Sequence, residues 1–140
     1  MTRREQILAR ITANLAGTAG VGTRIYRSRI EPFARAEAPA LVLEFVNETA
    51  TENQVPFLDW TMMVRVMVIA RGNVPDQLAD PTVQDIHSRL SADISLGGLA
   101  YDIIPASTSF DLVESDQPTG VISMMYRVRY RTKLTDLTTA

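Results

Sequence analysis

The run GVISMMYRVRYRT, from Gly120 to Thr132, constrains the fold more than any other stretch of the chain. Ile122, Met124, Tyr126, Val128 and Tyr130 alternate with Ser123, Met125, Arg127, Arg129 and Arg131. Period-two alternation of this kind marks a β-strand with one buried face. The sheet that holds it must therefore have a covered side and a more open side. Three arginines at i, i+2 and i+4 lay a positive stripe along the open side. Two explanations stand. Charge on an edge or exposed strand guards against edge-to-edge aggregation. Alternatively, an acidic protein surface or nucleic acid sits against the stripe and offsets the repulsion between its charges.

Phe57 to Arg71 is the longest strand-like run. Trp60, Met62, Val64, Val66, Val68 and Ala70 share one face, and Thr61, Met63, Arg65, Met67, Ile69 and Arg71 share the other. The second face is half apolar, which asks for partial cover by a helix or another subunit. Ala40 to Asn47 is a further strand. Between the two, Asn47 to Pro56 (NETATENQVP) is polar and turn-prone, and it predicts a long, mobile hairpin loop. Ala100 to Val113 reads as a strand interrupted by Pro105, hence two pieces or an edge. Arg24 to Ile30 is short and extended. Pro32 to Pro39 forms a loop with a helical turn at Phe33-Ala34-Arg35, and Ser115 to Pro118 forms a turn.

Thr2 and Glu5 make a capping box for a first helix, whose apolar face is Ile7, Leu8, Ile11 and Leu15. Gly17 and Gly20 end it. A second helix starts with Asp80 as N-cap and Pro81 at its first position, or one turn earlier at Asp76. It presents Val83, Ile86 and Leu90, and Gly97-Gly98 closes it. Leu134 to Ala140 is polar and expected to fray. The pattern predicts one α+β domain over residues 1–140, an antiparallel β-sheet with two α-helices packed on one face.

Little in the chain suggests catalysis. It has no cysteine, so disulfides, thiolate metal sites and cysteine nucleophiles are excluded. Its one histidine, His87, sits on the second helix without a metal-ligand spacing, and Asp85 and Ser88 beside it cannot face it. The GTAGVG run at Gly17–Gly22 follows a helix and lacks the Gly-Lys-Ser/Thr ending, so it reads as a helix end rather than a phosphate loop. No catalytic residue, cofactor site or metal site is expected, and the chain does not read as an enzyme. The N-terminus lacks the apolar core of a signal peptide and no run is long enough to span a membrane. Asn47-Glu48-Thr49 is therefore read as a chance sequon. A net charge of −2 argues against bulk nucleic-acid binding.

The order of APALVLEF, FLDWTMMVRVMVIAR, NVPDQLADPTVQDIHSRL, LGGLAYDIIP and VISMMYRVRYRT resembles the tail terminator (tail completion) proteins of long-tailed phages of the lambda type, from about Glu5 to Thr132. The resemblance implies a structural virion protein at the head-proximal end of a siphophage tail, assembled in the host cytoplasm. It implies a homohexameric ring that caps the tail tube, ends tube polymerisation and offers the head-joining surface. The partners would be the tail tube protein and a head-completion or neck protein, with DNA passing through the lumen. The resemblance rests on layout, so no residue role is carried over from it.

A ring needs one patch that docks a different patch on its neighbour. Met63, Met67, Ile69, Arg65, Arg71 and the stripe Arg127, Arg129, Arg131 are candidates for one side, and the acidic helix Asp76 to Asp93 for the other. Glu48, Glu52 and Asn53, in the predicted loop, are candidates for contact with the tube. Two alternatives remain: a neck or head-completion protein on the portal side, and a small non-phage α+β domain that binds a ligand in a closed apolar pocket.

Overall fold

The computed structural model describes residues 1–28, 39–113 and 118–140. The expected turns at Phe33–Arg35 and at Ser115–Gln117 lie outside the described residues. In chain order the elements are α1 (Arg3–Leu15), β1 (Ile25–Arg27), β2 (Ala40–Gln54), β3 (Phe57–Arg71), α2 (Pro75–Ser91), β4 (Asp102–Val113) and β5 (Thr119–Lys133). The strands form one sheet in the order β1-β2-β3-β5-β4. Both helices pack on the same side of it, so the fold is α+β.

The sheet is mixed rather than wholly antiparallel. β1 runs parallel to β2, with Ile25 beside Leu41 and Arg27 beside Leu43, and the other pairs are antiparallel. The chain between β1 and β2 is about a dozen residues long, the length a parallel return requires. β5 lies between β3 and β4, so the arginine stripe is not on an edge strand. β4 is the edge, and its register slips between Pro105 and Ser107, where proline cannot donate to a ladder.

The long loop expected at Asn47–Pro56 is strand. β2 continues to Gln54, and only Val55 and Pro56 separate it from β3. Asn47, Glu48, Thr49 and Ala50 face Met63, Met62, Thr61 and Trp60 across the hairpin. Backbone pairing needs no apolar side chains, and two β-branched threonines suit a strand. A bulge between Phe45 and Asn47 also breaks the alternation that sequence periodicity relies on.

α1 follows expectation: the Thr2 hydroxyl accepts from the Glu5 amide at 3.2 Å, and Ile7, Leu8, Ile11 and Leu15 are buried. α2 begins at Pro75, so Asp80 is not its cap. Asp76 occupies the first turn, and Pro81 is carried inside the helix on its exposed side. There its missing N–H leaves only the Gln77 carbonyl without its usual donor, on a side where water reaches. Ala79, Ile86 and Leu90 of α2 complete the core against Leu41, Leu43, Met62, Val64, Val66, Val68, Met124, Tyr126 and Val128. The C-terminal tail is tied down rather than frayed. The Arg3 amide donates to the Leu137 carbonyl, and the Leu134 amide to the Pro56 carbonyl, both at 2.7 Å.

A candidate protein-interaction face

The strand registers set the residues of the helix-free face in rows. Asp59 lies opposite Arg131, Thr61 opposite Arg129, Met63 opposite Arg127 and Arg65 opposite Met125. β4 extends three of these rows, with Asp102 beside Arg129, Ile104 beside Arg127 and Ser107 beside Met125. β2 adds Glu44 beside Arg65 and Val42 beside Met67. Alternation along β3 and β5 therefore puts every residue of the stripe on this face.

Most of the stripe is neutralised within the chain. Arg131 grips Asp59 through Nε at 2.8 Å and Nη2 at 3.2 Å, and its guanidinium lies 4.9 Å over the Phe57 ring. Arg129 holds both oxygens of Asp102 through Nε and Nη2. Arg65 pairs with Glu44 at 3.0 Å. The Arg131 guanidinium is the main reason that the Asp59 carboxyl titrates below the usual carboxylate range, and Asn53 and Tyr101 add to it. Arg129 does the same for Asp102, with a weaker electrostatic pull from Arg127. Cross-strand pairs of opposite charge support a sheet. These two arginines thus have a role inside the monomer, which the sequence reading did not give them.

Arg127 is the exception. It makes no ion pair among the described residues, and its buried Nε finds no hydrogen-bond partner. Its neighbours across the strands are Met63 and Ile104. Beyond Met125, a groove of about 610 Å³ is lined by Arg65, Met67, Ser109, Asp111, Val121 and Met125, among others. Met67 and Ile69 pack with Tyr26, Ala40 and Val42 in a small apolar cluster on this face. Arg71 and Thr119 are paired at one end of the β3–β5 ladder.

The three acidic or amide candidates part company. Glu48 faces the helix side, where its carboxylate accepts from Tyr130 Oη at 2.5 Å and Arg4 Nη1 at 3.1 Å. These bonds tie it to α1 and β5 within the chain. Asn53 Nδ2 donates to Asp59 at 3.2 Å, and Glu52 is exposed near the hairpin tip. His87 is exposed, with Nε2 3.2 Å from the Ser91 hydroxyl. Among the described residues no three His, Asp or Glu side chains gather as metal ligands, and no helix is long and apolar enough to cross a membrane.

Sequence reasoning missed a second surface. The end of β4 is exposed on both sides, with Phe110 44% and Leu112 61% exposed, and Phe110 lies by Pro75 of α2 around Gly120. The alternation of Phe110 and Leu112 hinted at a buried side, but β4 runs past the cover that α2 provides. The counter-ions Asp59 and Asp102 were also missed, because only the strand register reveals that they face arginines.

The fold is shared with a solved structure. A chain from the virion of a native gene transfer agent (GTA) particle superposes with a TM-score of 0.58 at 17% identity, over 94% of this chain and 92% of that one. No family model and no curated protein sequence matches the chain.

Proposed function

We propose that the chain is a structural protein of a phage-like virion and forms a ring that caps the tail tube. The observation that carries this reading is the nearly end-to-end likeness of fold to a chain of a GTA virion. The layout resemblance to tail terminators supplies the finer role: a hexameric ring that stops tube growth and receives the head-completion protein. The half-apolar, arginine-bearing sheet face supports subunit contact, since a solitary domain gains nothing by leaving Arg127, Met63 and Met67 half covered. The reading assigns no catalysis and no cofactor, and it places the protein in the virion at the head-proximal end of the tail. DNA would meet it only in passing, through the lumen.

Native mass spectrometry of the purified chain, alone and with tail tube protein, tests the proposal. A closed ring, free or templated by the tube end, is expected, and particles lacking the chain should carry overlong tubes. A species that stays monomeric and ignores the tube would overturn it. Binding to the portal assembly instead would move the protein to the neck.

A further inference from the structure

Two charged features make no ion pair among the described residues. One is Arg127, whose guanidinium lies on the helix-free face between Met63 and Ile104 with Nε buried and unbonded. Burying an arginine nitrogen without an acceptor is unfavourable, and a carboxylate is the acceptor that best matches a guanidinium. The other is the start of α2. Asp76 and Asp80 share one side of the helix there, are exposed and make no ion pair among the described residues, while Leu78, 51% exposed, lies on the opposite side. An acidic residue in a first turn gains from the helix dipole, which accounts for Asp76 but not for Asp80 beyond that turn.

We infer that these two features dock on each other between copies of the chain: the Asp76–Asp80 turn of one copy seats on the Arg127 face of the next. The inference rests on the ring reading and names its contact. Charge matches charge, since Arg127 faces two carboxylates, while Arg65 is already paired with Glu44. Met63 and Met125 lie beside Arg127 on the same face and border the seat. Methionine suits such a seat because its flexible thioether adapts to the incoming side chain. The geometry fixes the kind of assembly. Arg127 is on the open side of the sheet, while α2 packs on the covered side. A patch on one side that binds a patch on the other makes a head-to-tail contact, which closes into a ring or runs on, and cannot end as a two-fold dimer.

The test is charge reversal with rescue, read by native mass spectrometry and sedimentation under conditions where wild type assembles, with tube protein where the tube is needed as template. Arg127→Glu should weaken association about tenfold or more, and so should Asp76→Arg with Asp80→Arg. Combining all three substitutions in one chain should restore assembly. Mixing the two reversed proteins should restore assembly with the two chains alternating, because each chain's turn is then complementary to the other chain's face while like copies repel. The α2 double variant changes exposed positions only, so it keeps the test decisive if Arg127→Glu fails to fold. Arg127→Met, which retains the stem and drops the charge, serves as the second check. If wild type assembles and neither reversal weakens it, or the triple variant is not rescued, the contact is wrong while the ring survives. If wild type never assembles, with or without tube, the ring reading fails first.

Discussion

At the scale of single residues, two buried tyrosines four positions apart on one face of β5 have opposite prospects. Tyr130 is 2% exposed, stacks on Trp60 at 6.1 Å and donates its hydroxyl to the Glu48 carboxylate. Tyr126 is as deeply buried, yet its hydroxyl has no hydrogen-bond partner among the described residues. Removing a hydroxyl that serves a buried carboxylate leaves that group short of a donor, whereas removing an unsatisfied one relieves a cost. Tyr130→Phe should therefore lose about 1–3 kcal/mol in urea titrations. Tyr126→Phe should stay within about 0.5 kcal/mol of wild type or gain slightly. Burial pushes the Tyr126 phenol up to about 12. The unfolded chain ionises first as pH rises, so stability present below about pH 10 falls on the way to pH 12. Tyr126→Phe should flatten part of that decline.

The carboxyls set the acid limb. Arg27 holds Glu5 below its ordinary range, Arg131 does so for Asp59, Arg10 for Asp93 and Arg129 for Asp102. Each is a stronger acid in the folded chain than in the unfolded one. Their stabilisation is complete above the usual carboxylate range and disappears as pH falls through it and below. Thermal melts at pH 6 and near pH 2.5 (roughly a unit and a half below the reference carboxylates) should show a clear drop. Asp102→Asn with Asp59→Asn should reduce the drop.

Elements meet most tightly where α2 begins. A side chain at Gly120 would place its Cβ 2.6 Å from Pro75 Cβ and 2.7 Å from the Phe110 ring. Neither neighbour retreats easily, since Pro75 is a ring at the helix start and Phe110 is fixed by β4. Gly120→Ala should cost about 1–3 kcal/mol by overpacking. Gly72→Ala makes a nominally closer contact, 2.1 Å to Leu78 Cδ1. That atom ends an exposed, rotatable side chain, so the cost should be smaller. Chemical denaturation of both variants measures the difference. Sequence patterning does foresee β3 and β5, because their alternation is uninterrupted and one face is wholly apolar. It foresees α1 because Thr2, Glu5 and the Ile7–Leu15 face agree. It fails for the outer half of β2, where a bulge and polar side chains hide a strand held by its backbone. For the start of α2 it offers two positions, and the structure favours the earlier one at Asp76 over the Asp80–Pro81 signal. The interaction face is legible as a set of residues, but not its internal ion pairs, because register is a property of the sheet and not of any one strand.

On the scale of the whole molecule, the last residues act as a clasp between parts far apart in sequence. The Leu134 amide donates to Pro56 at the hairpin tip, the Lys133 amide to Thr139, and the Arg3 amide to Leu137 at the start of α1. Gln6 Nε2 adds a bond to the Thr138 carbonyl at 3.2 Å. The clasp thus ties the hairpin tip to the N-terminal helix, two elements that otherwise meet through Arg4–Glu48 and the core. Hydrogen bonds near the surface contribute modestly, about 0.5–1.5 kcal/mol each. Ordering seven residues also opposes them entropically. Deleting Leu134–Ala140 should accordingly lower stability by only about 1–3 kcal/mol and leave the fold intact. Its larger effect should be local. Amide exchange should quicken at the hairpin tip and in the first turn of α1, while the paired centre of β3 and β5 keeps its protection. Uniform acceleration across the sheet would show instead that the clasp supports the molecule as a whole.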